Sequence, residues 1–164
     1  MVFFYLAAVY FLFVWGVLRL IVPHLGFTKS ALPNELPSVL REKIAEYDRL
    51  ARDDFDFLRL CYDYVTTTYT GSRIRTITQF WKAFENPLAA GPGFLPCISQ
   101  NYVLRTMLVS SGRFKDTDIA VGIVPLNFFV HQYLQISLGD MIIAADPWSH
   151  FLGVPLGKKS AFFG

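Results

Sequence analysis

The chain opens with a long apolar run from Val2 to Leu18 that contains no charged residue. Arg19 interrupts the run, and the apolar pattern continues to Val22. A helix that crosses a bilayer needs about 20 apolar residues, with a lower limit of about 17. The sequence therefore predicts a transmembrane helix, with residues 1–26 as a membrane anchor.

Two other interpretations of this run are weaker. A cleaved signal peptide would carry basic residues before the apolar run and a small-residue cleavage site after it, and the sequence has neither. A buried core helix of a globular domain would have a polar stripe, which is also missing. Arg19 and Lys29 follow the run while no Lys or Arg precedes it, so the positive-inside rule predicts a single-pass protein with its domain on the cytoplasmic side.

The rest of the chain divides into a linker, residues 27–36, and a domain, residues 37–164. Within the domain, apolar residues first recur every three or four positions and later fall in short strand-like runs. The predicted elements are helices over 40–51, 55–69, 76–84 and 97–111, and strands over 118–126, 127–137 and 141–145. Helices followed by a small antiparallel sheet form an α+β fold.

Charge and cysteine content exclude several classes of function. The formal net charge is only +2, which gives no basic surface of the kind that binds nucleic acid. The chain has two cysteines, Cys61 and Cys97, and no CxxC or paired-histidine spacing, so neither a metal nor a cofactor is predicted. Whether the two cysteines form a disulfide depends on geometry that the sequence does not contain.

Cys97 is the first candidate for chemistry. It follows a Gly- and Pro-rich stretch, residues 86–96, and Pro96 suits the first turn of a helix. A thiol at that position lies at the positive end of the helix dipole, which favours the nucleophilic thiolate. Taken alone, such a cysteine is more often a buried structural residue.

His131 and Asp146 are the second and third candidates. His131 lies in a predicted strand, and Asp146 ends the next one, directly before a proline. A two-residue loop of Leu138 and Gly139 would place His131 directly opposite Asp146, within side-chain hydrogen-bonding reach. A three-residue loop would instead put the two side chains on opposite faces of the sheet.

The three residue types together suit acyl transfer through a thioester. A carboxylate that accepts one ring N–H of a histidine orients the ring and leaves the other nitrogen for a thiol. The thiolate attacks a carbonyl, and the imidazolium protonates the leaving amine. Backbone N–H groups at the start of the helix can stabilise the oxyanion.

The segments around these residues resemble the core of transglutaminase-like domains, which belong with the papain-like thiol enzymes. The matching segments are PCISQNYVLRTMLVSSG, FFVHQYLQI and MIIAADPW. The resemblance implies Cys97 as nucleophile, His131 as base and acid, and Asp146 as the orienting carboxylate. It covers residues 95–148, and it implies a peptide or protein as substrate.

The sequence departs from the family's pattern beside the cysteine. Pro96 and Ile98 stand where the better-known enzymes carry a polar residue and a tryptophan, so the side-chain donor to the oxyanion is unassigned. Gln79, Trp81 and Asn86 are the upstream candidates.

Three hypotheses remain. The leading one is a membrane-anchored cysteine peptidase, amidase or transglutaminase. The second is a catalytically inactive, membrane-tethered binding or scaffolding domain of the same fold, and the third is a structural membrane protein in which Cys97 and His131 are only core residues. His150 is the alternative histidine if His131 is not the base.

Overall fold

The computed structural model describes residues 2–22, 25, 28–126 and 129–160. Residues 1, 23, 24, 26 and 27 of the predicted anchor and linker lie outside this description, as do residues 127 and 128 of the predicted second strand and residues 161–164 of the predicted domain.

The N-terminal apolar run is divided among three helical segments. Helix α1 spans Val2–Phe11, a π-helical segment spans Leu12–Val17, and helix α2 spans Leu18–Ile21. At 1.5 Å per residue, the ten residues of α1 cover only about half of a hydrocarbon core about 30 Å thick. Among the described residues, no helix is both long and apolar enough to cross a membrane. The predicted single-pass anchor over residues 1–26 is therefore wrong, and so is the membrane orientation that depended on it, because an apolar count cannot detect the interruption of the α-helix.

Residues 28–36 contain no helix or strand and lie against the domain. The Lys29 ammonium is 2.9 Å from the Asp116 carboxylate and donates a 3.0 Å hydrogen bond to the carbonyl of Ile119. The carbonyl of Ser30 accepts a 2.8 Å hydrogen bond from Arg105. Lys29, which in the sequence is only a positive charge after the apolar run, is thus bonded to the domain.

Two amphipathic helices follow. Helix α3 spans Ser38–Leu50 and begins directly after Pro37, as Pro-initiated helices do. Helix α4 spans Asp54–Thr68, and the side chain of Asp53 caps it by accepting a 2.8 Å hydrogen bond from the Asp56 amide. The apolar stripes of both helices face the core, where the buried residues include Leu40, Ile44, Phe57, Leu58, Cys61, Tyr62 and Val65.

Short elements connect α4 to the helix that carries Cys97. Strand β1 (Tyr69–Thr70) pairs in parallel with strand β2 (Gly93–Phe94). Between them lie helix α5 (Arg73–Thr78) and two 3-10 turns, Phe80–Ala83 and Pro87–Ala89. Helix α6 then spans Cys97–Ser110. It packs against α4 on one side and against the sheet on the other.

The sheet has three antiparallel strands in the order β3-β4-β5. Their bounds are β3 Ile119–Leu126, β4 Phe129–Leu138 and β5 Met141–Ala145. The described residues therefore form an α+β fold in which the helices precede the sheet, and the predicted fold class is wrong in its transmembrane element.

The β4–β5 hairpin has a two-residue turn, but not the predicted one. Leu138 pairs with Met141, so the turn is Gly139–Asp140 rather than Leu138–Gly139. Gly139 has φ +58°, a left-handed conformation that glycine adopts without steric cost. The whole register is shifted by two positions from the prediction. Because side chains alternate with a period of two, the shift keeps Asp146 on the face of His131 and makes the pair diagonal instead of directly opposed.

Candidate functional site

Cys97 is the first residue of α6 and is partly exposed. Pro96 is the N-cap, with extended backbone at φ −60° and ψ 159°, and its carbonyl accepts the amides of Ser99 and Gln100. The buried Gln100 side chain donates a 2.9 Å hydrogen bond back to the carbonyl of Leu95. This bond ties the approaching loop to the helix. Because a proline cap has no side-chain acceptor, the amides of Cys97 and Ile98 have no partner among the described residues and are left for water or a ligand.

A buried amide fixes α6 against β4 close to Cys97. Asn101, one turn after Cys97, donates a 2.9 Å hydrogen bond to the carbonyl of Gln132, the neighbour of His131. Both residues are buried, and a hydrogen bond in such surroundings is costly to leave unmade. The bond therefore helps to hold α6, which carries Cys97, against β4, which carries His131.

His131 is the point at which the three predicted residues meet. It is only 2% exposed, and its Nε2 lies 2.7 Å from Oδ1 of Asp146. The Cys97 side chain interacts with the same imidazole, and both residues line one cavity. Since Asp146 occupies Nε2, the geometry leaves Nδ1 for the sulfur. The structure thus brings Cys97, His131 and Asp146 together, by a diagonal pairing rather than the predicted direct one.

Asp146 is fully buried and is surrounded by donors. Its Oδ1 accepts the Ser149 amide at 3.2 Å in addition to His131. Its Oδ2 accepts both the amide and the hydroxyl of Ser160, at 3.0 and 3.1 Å. The Tyr62 hydroxyl of α4 donates to the Asp146 carbonyl at 3.3 Å. A buried carboxylate with this many donors is held ionised and fixed in orientation.

The two serines also contact each other and the histidine. The hydroxyls of Ser149 and Ser160 are hydrogen-bonded, and the Ser149 Oγ lies 3.2 Å from Nε2 of His131. Lys159 donates a 2.9 Å hydrogen bond to the Tyr133 hydroxyl, which anchors the segment that carries Ser160. Sequence reasoning missed both serines. Ser149 lies three residues after the predicted Asp146, but no pattern relates Ser160 to the site.

The electrostatics of the pair favour an imidazolium beside a carboxylate. Burial by itself lowers the pKa of His131, but hydrogen bonds to Asp146 and Cys97 and the charges of both outweigh it and raise the pKa to about 9. Burial works in the opposite sense on Asp146, and there the hydrogen bond and the charge of His131 hold the pKa of the carboxyl below its usual range. Both shifts favour the ionised forms at neutral pH.

Trp148 covers the imidazole. Its ring centroid lies 5.0 Å from that of His131 at an interplanar angle of 42°, and Phe151 packs edge-on against it at 5.1 Å. The indole is 5% exposed, and its buried Nε1 has no hydrogen-bond partner in the described structure. An aromatic cover excludes water from the bond between His131 and Asp146, which strengthens that bond.

The remaining sequence candidates lie elsewhere. Gln79, Trp81 and Asn86 are not among the described residues that line the cavity at Cys97, and the Asn86 side chain instead caps a 3-10 turn. His150 is exposed and packs edge-on against Tyr62. None of the three upstream candidates thus lines the cavity at Cys97, and it is His131 rather than His150 that contacts Asp146.

Cys61 is separate from this site. Both cysteines are free thiols, and Cys61 is fully buried in the core. Burial raises the pKa of the Cys61 thiol far above its ordinary value. A thiol in this state is unreactive in the native protein. Among the described residues, no cluster of three or more His, Cys, Asp or Glu side chains could hold a metal ion.

Comparisons with protein-family models, with curated proteins and with solved structures found no match.

Proposed function

We propose that this protein is a thiol acyl-transfer enzyme of the transglutaminase-like kind, acting on a peptide or protein substrate. The observation that carries the proposal is the buried His131, which contacts the Cys97 thiol while its Nε2 is 2.7 Å from Asp146. A cysteine at a helix start, a histidine and a carboxylate in this order of contact form the arrangement that activates a thiol nucleophile.

In the acylation step, the Cys97 sulfur attacks the substrate carbonyl. The negative charge that develops on the carbonyl oxygen is stabilised by the uncapped amides at the start of α6, including that of Cys97. His131, held as an imidazolium by Asp146, gives its proton to the leaving amine as the carbon–nitrogen bond breaks. The product is a thioester on Cys97 and a free amine.

In the deacylation step, His131 accepts a proton from the incoming nucleophile. Water yields a carboxylic acid, as in a peptidase or amidase, and a primary amine yields a new amide, as in a transglutaminase. In both cases the thioester carbon–sulfur bond breaks, which regenerates the free sulfur of Cys97 and the protonated His131. Asp146, which is fixed by Ser149 and Ser160, keeps the ring in one orientation through both steps.

The proposal is tested by the rate at which iodoacetamide alkylates Cys97 in the full chain. At pH 6.5 we expect Cys97 to react at least about ten-fold faster than an unactivated cysteine peptide, because little of an ordinary thiol is thiolate at that pH. Cys61 is the internal control, since it is buried and should stay unmodified. His131→Ala should abolish the advantage, and His150→Ala should retain it.

The opposite pattern would refute the proposal. A Cys97 that is alkylated only after denaturation, or at the same rate with and without His131, would favour a non-catalytic binding domain with this fold. Loss of reactivity in His150→Ala but not in His131→Ala would show that His150, and not His131, is the base.

A further inference from the structure

A cavity of about 380 Å³ opens on the reacting groups. Cys97 and His131 form part of its wall, so a group bound in the cavity lies beside the sulfur. This volume falls in the range of about 300–1,000 Å³ that is usual for small-molecule sites. Three residues of the N-terminal segment, Phe13, Val22 and Leu25, also line the cavity.

The lining of the cavity is almost wholly apolar. Apart from the two reacting residues, the polar side chains among its described lining residues are those of Arg73, Thr76 and Trp148. A charged or strongly polar group would lose its hydration there with few partners in return, whereas an aliphatic or aromatic group would gain by leaving water. The cavity therefore discriminates in favour of apolar substrate groups.

The surface beside the cavity is apolar as well. Ile77 and Phe80 line the cavity, and their side chains are nevertheless 59% and 60% exposed to solvent. Two more large apolar side chains in the same stretch of chain are half exposed: Trp81 and Phe84. Exposed apolar side chains clustered beside a cavity mark a binding surface.

We propose that this cavity binds an apolar group on the acyl side of the scissile bond, next to the carbonyl that Cys97 attacks. This inference rests on the proposed thiol chemistry and specifies its substrate class. Two sources would supply such a group: an apolar amino-acid residue of a peptide, or a plain alkyl chain.

The test compares p-nitrophenyl esters that differ only in the acyl group, using the full chain. One arm compares hexanoate with acetate, and the other compares N-acetyl-leucyl with N-acetyl-glycyl esters. The sulfur of Cys97 forms a bond to the acyl carbon as nitrophenolate leaves, and water then cleaves the thioester to release the acid and return a proton to the sulfur. Each kcat/KM is divided by the rate of the same ester with a small free thiol, and the Cys97→Ala rate is subtracted.

We expect the apolar ester to be preferred by at least about ten-fold, since one methylene in an apolar pocket already changes kcat/KM by about 10–200-fold. Ile77→Ser should reduce this preference because Ile77 lines the cavity. Ile74→Ser is the matched control, since Ile74 lies on the same helix, is 74% exposed and does not line the cavity.

Each outcome decides the proposal. A preference in the hexanoate arm, with or without one in the leucyl arm, supports an alkyl chain as sufficient, and a preference in the leucyl arm alone supports an apolar residue of a peptide. Equal rates within both arms, with release that depends on Cys97, would overturn the apolar preference and leave the enzyme standing. If no release depends on Cys97, the proposed enzyme activity is refuted. The binding preference would then be measured by titrating Cys97→Ala with hexanamide and with acetamide in a calorimeter. Equal binding of the two amides would overturn the apolar preference.

Discussion

At the scale of single residues, Ser160 holds Asp146 through two hydrogen bonds. Its hydroxyl and amide both donate to Oδ2, at 3.1 and 3.0 Å. A hydrogen bond to a charged group contributes about 1.5–3 kcal/mol. Ser160→Ala keeps the amide bond but removes the bonds of the hydroxyl to Asp146 and Ser149, so we expect it to lower the free energy of unfolding in urea by at least about 1.5–3 kcal/mol.

The control for this prediction is Ser110→Ala at the exposed end of α6, where a surface substitution should change stability by less than about 0.5 kcal/mol. If Ser160→Ala lowered the free energy of unfolding no more than this control does, the hydroxyl of Ser160 would contribute nothing to stability.

His131 makes stability depend on pH in a definite direction. In the unfolded chain the pKa of a histidine is about 6.5, whereas in the folded protein the pKa of His131 is raised to about 9. Below the lower value both states are protonated and the stabilisation is complete. Between the two values only the folded state keeps its proton, so stability declines as the pH rises and this contribution is lost above about 9.

The measurement is urea unfolding at pH 6, 7.5 and 9 for the wild type, His131→Gln and His150→Gln. We expect the stability advantage of the wild type over His131→Gln to shrink with rising pH, and His150→Gln to follow the wild type. An advantage over His131→Gln that stays constant or grows with pH would contradict the assignment of the raised pKa to His131.

At the scale of elements, the β4–β5 turn sets the register of the hairpin and therefore the position of Asp146 relative to His131. Gly139 has φ +58°, and a Cβ added there would meet open space, so the cost of another residue lies in the backbone alone. The left-handed conformation costs about 1–2 kcal/mol for residues with a Cβ. We expect Gly139→Val to reduce the free energy of unfolding by about this amount and Gly139→Asn by less, because Asn tolerates the conformation.

Gly91→Val is the matched control for the turn. A Cβ at Gly91 also meets open space, but its φ lies outside the left-handed range. Equal losses at the two positions in urea unfolding would show that the conformation of Gly139 is not what the turn requires.

The elements around the site were predictable for identifiable reasons. The strand bounds follow from apolar runs separated by polar turns, and the start of α6 follows from Pro96 before Cys97. The hairpin register was not predictable, because Ser137, Leu138, Gly139 and Asp140 allow two placements of a two-residue turn and local sequence does not choose between them. Side-chain alternation protected the predicted contact, since a slip of two positions keeps His131 and Asp146 on one face.

At the scale of the whole molecule, the prediction of a transmembrane helix was wrong because it used composition alone. An apolar run has several folded outcomes, and the count of apolar residues does not show where an α-helix gives way to π-helical geometry, as it does from Leu12 to Val17. Three residues of the predicted anchor, Phe13, Val22 and Leu25, instead line the cavity at Cys97. Contacts of this kind join parts of the chain far apart in sequence, which local patterns do not report. Ser160, which lies 14 residues after Asp146, was missed for the same reason.

The N-terminal segment is connected to the domain through Asp116. This carboxylate bonds Lys29 at 2.9 Å and Arg105, whose side chain is only 6% exposed, and these charges lower the pKa of Asp116 although its burial acts to raise it. Removing one partner of a buried ion pair costs about 3–5 kcal/mol. Asp116 is 38% exposed, so solvent screens part of that loss, and we expect Asp116→Asn to destabilise the fold by about 1–3 kcal/mol.

The same substitution should release the segment around Lys29. Trypsin must accommodate the Lys29 side chain, which in the native protein is bonded to Asp116 and to the carbonyl of Ile119. We therefore expect Asp116→Asn to be cleaved after Lys29 several-fold faster than the wild type under native conditions, as followed by mass spectrometry. Asp140→Asn, in the exposed β4–β5 turn, is the control and should be cleaved at the wild-type rate. Unchanged cleavage in Asp116→Asn would show that the segment is held on the domain by other contacts, such as those of Ser30 and Ala31 with α6.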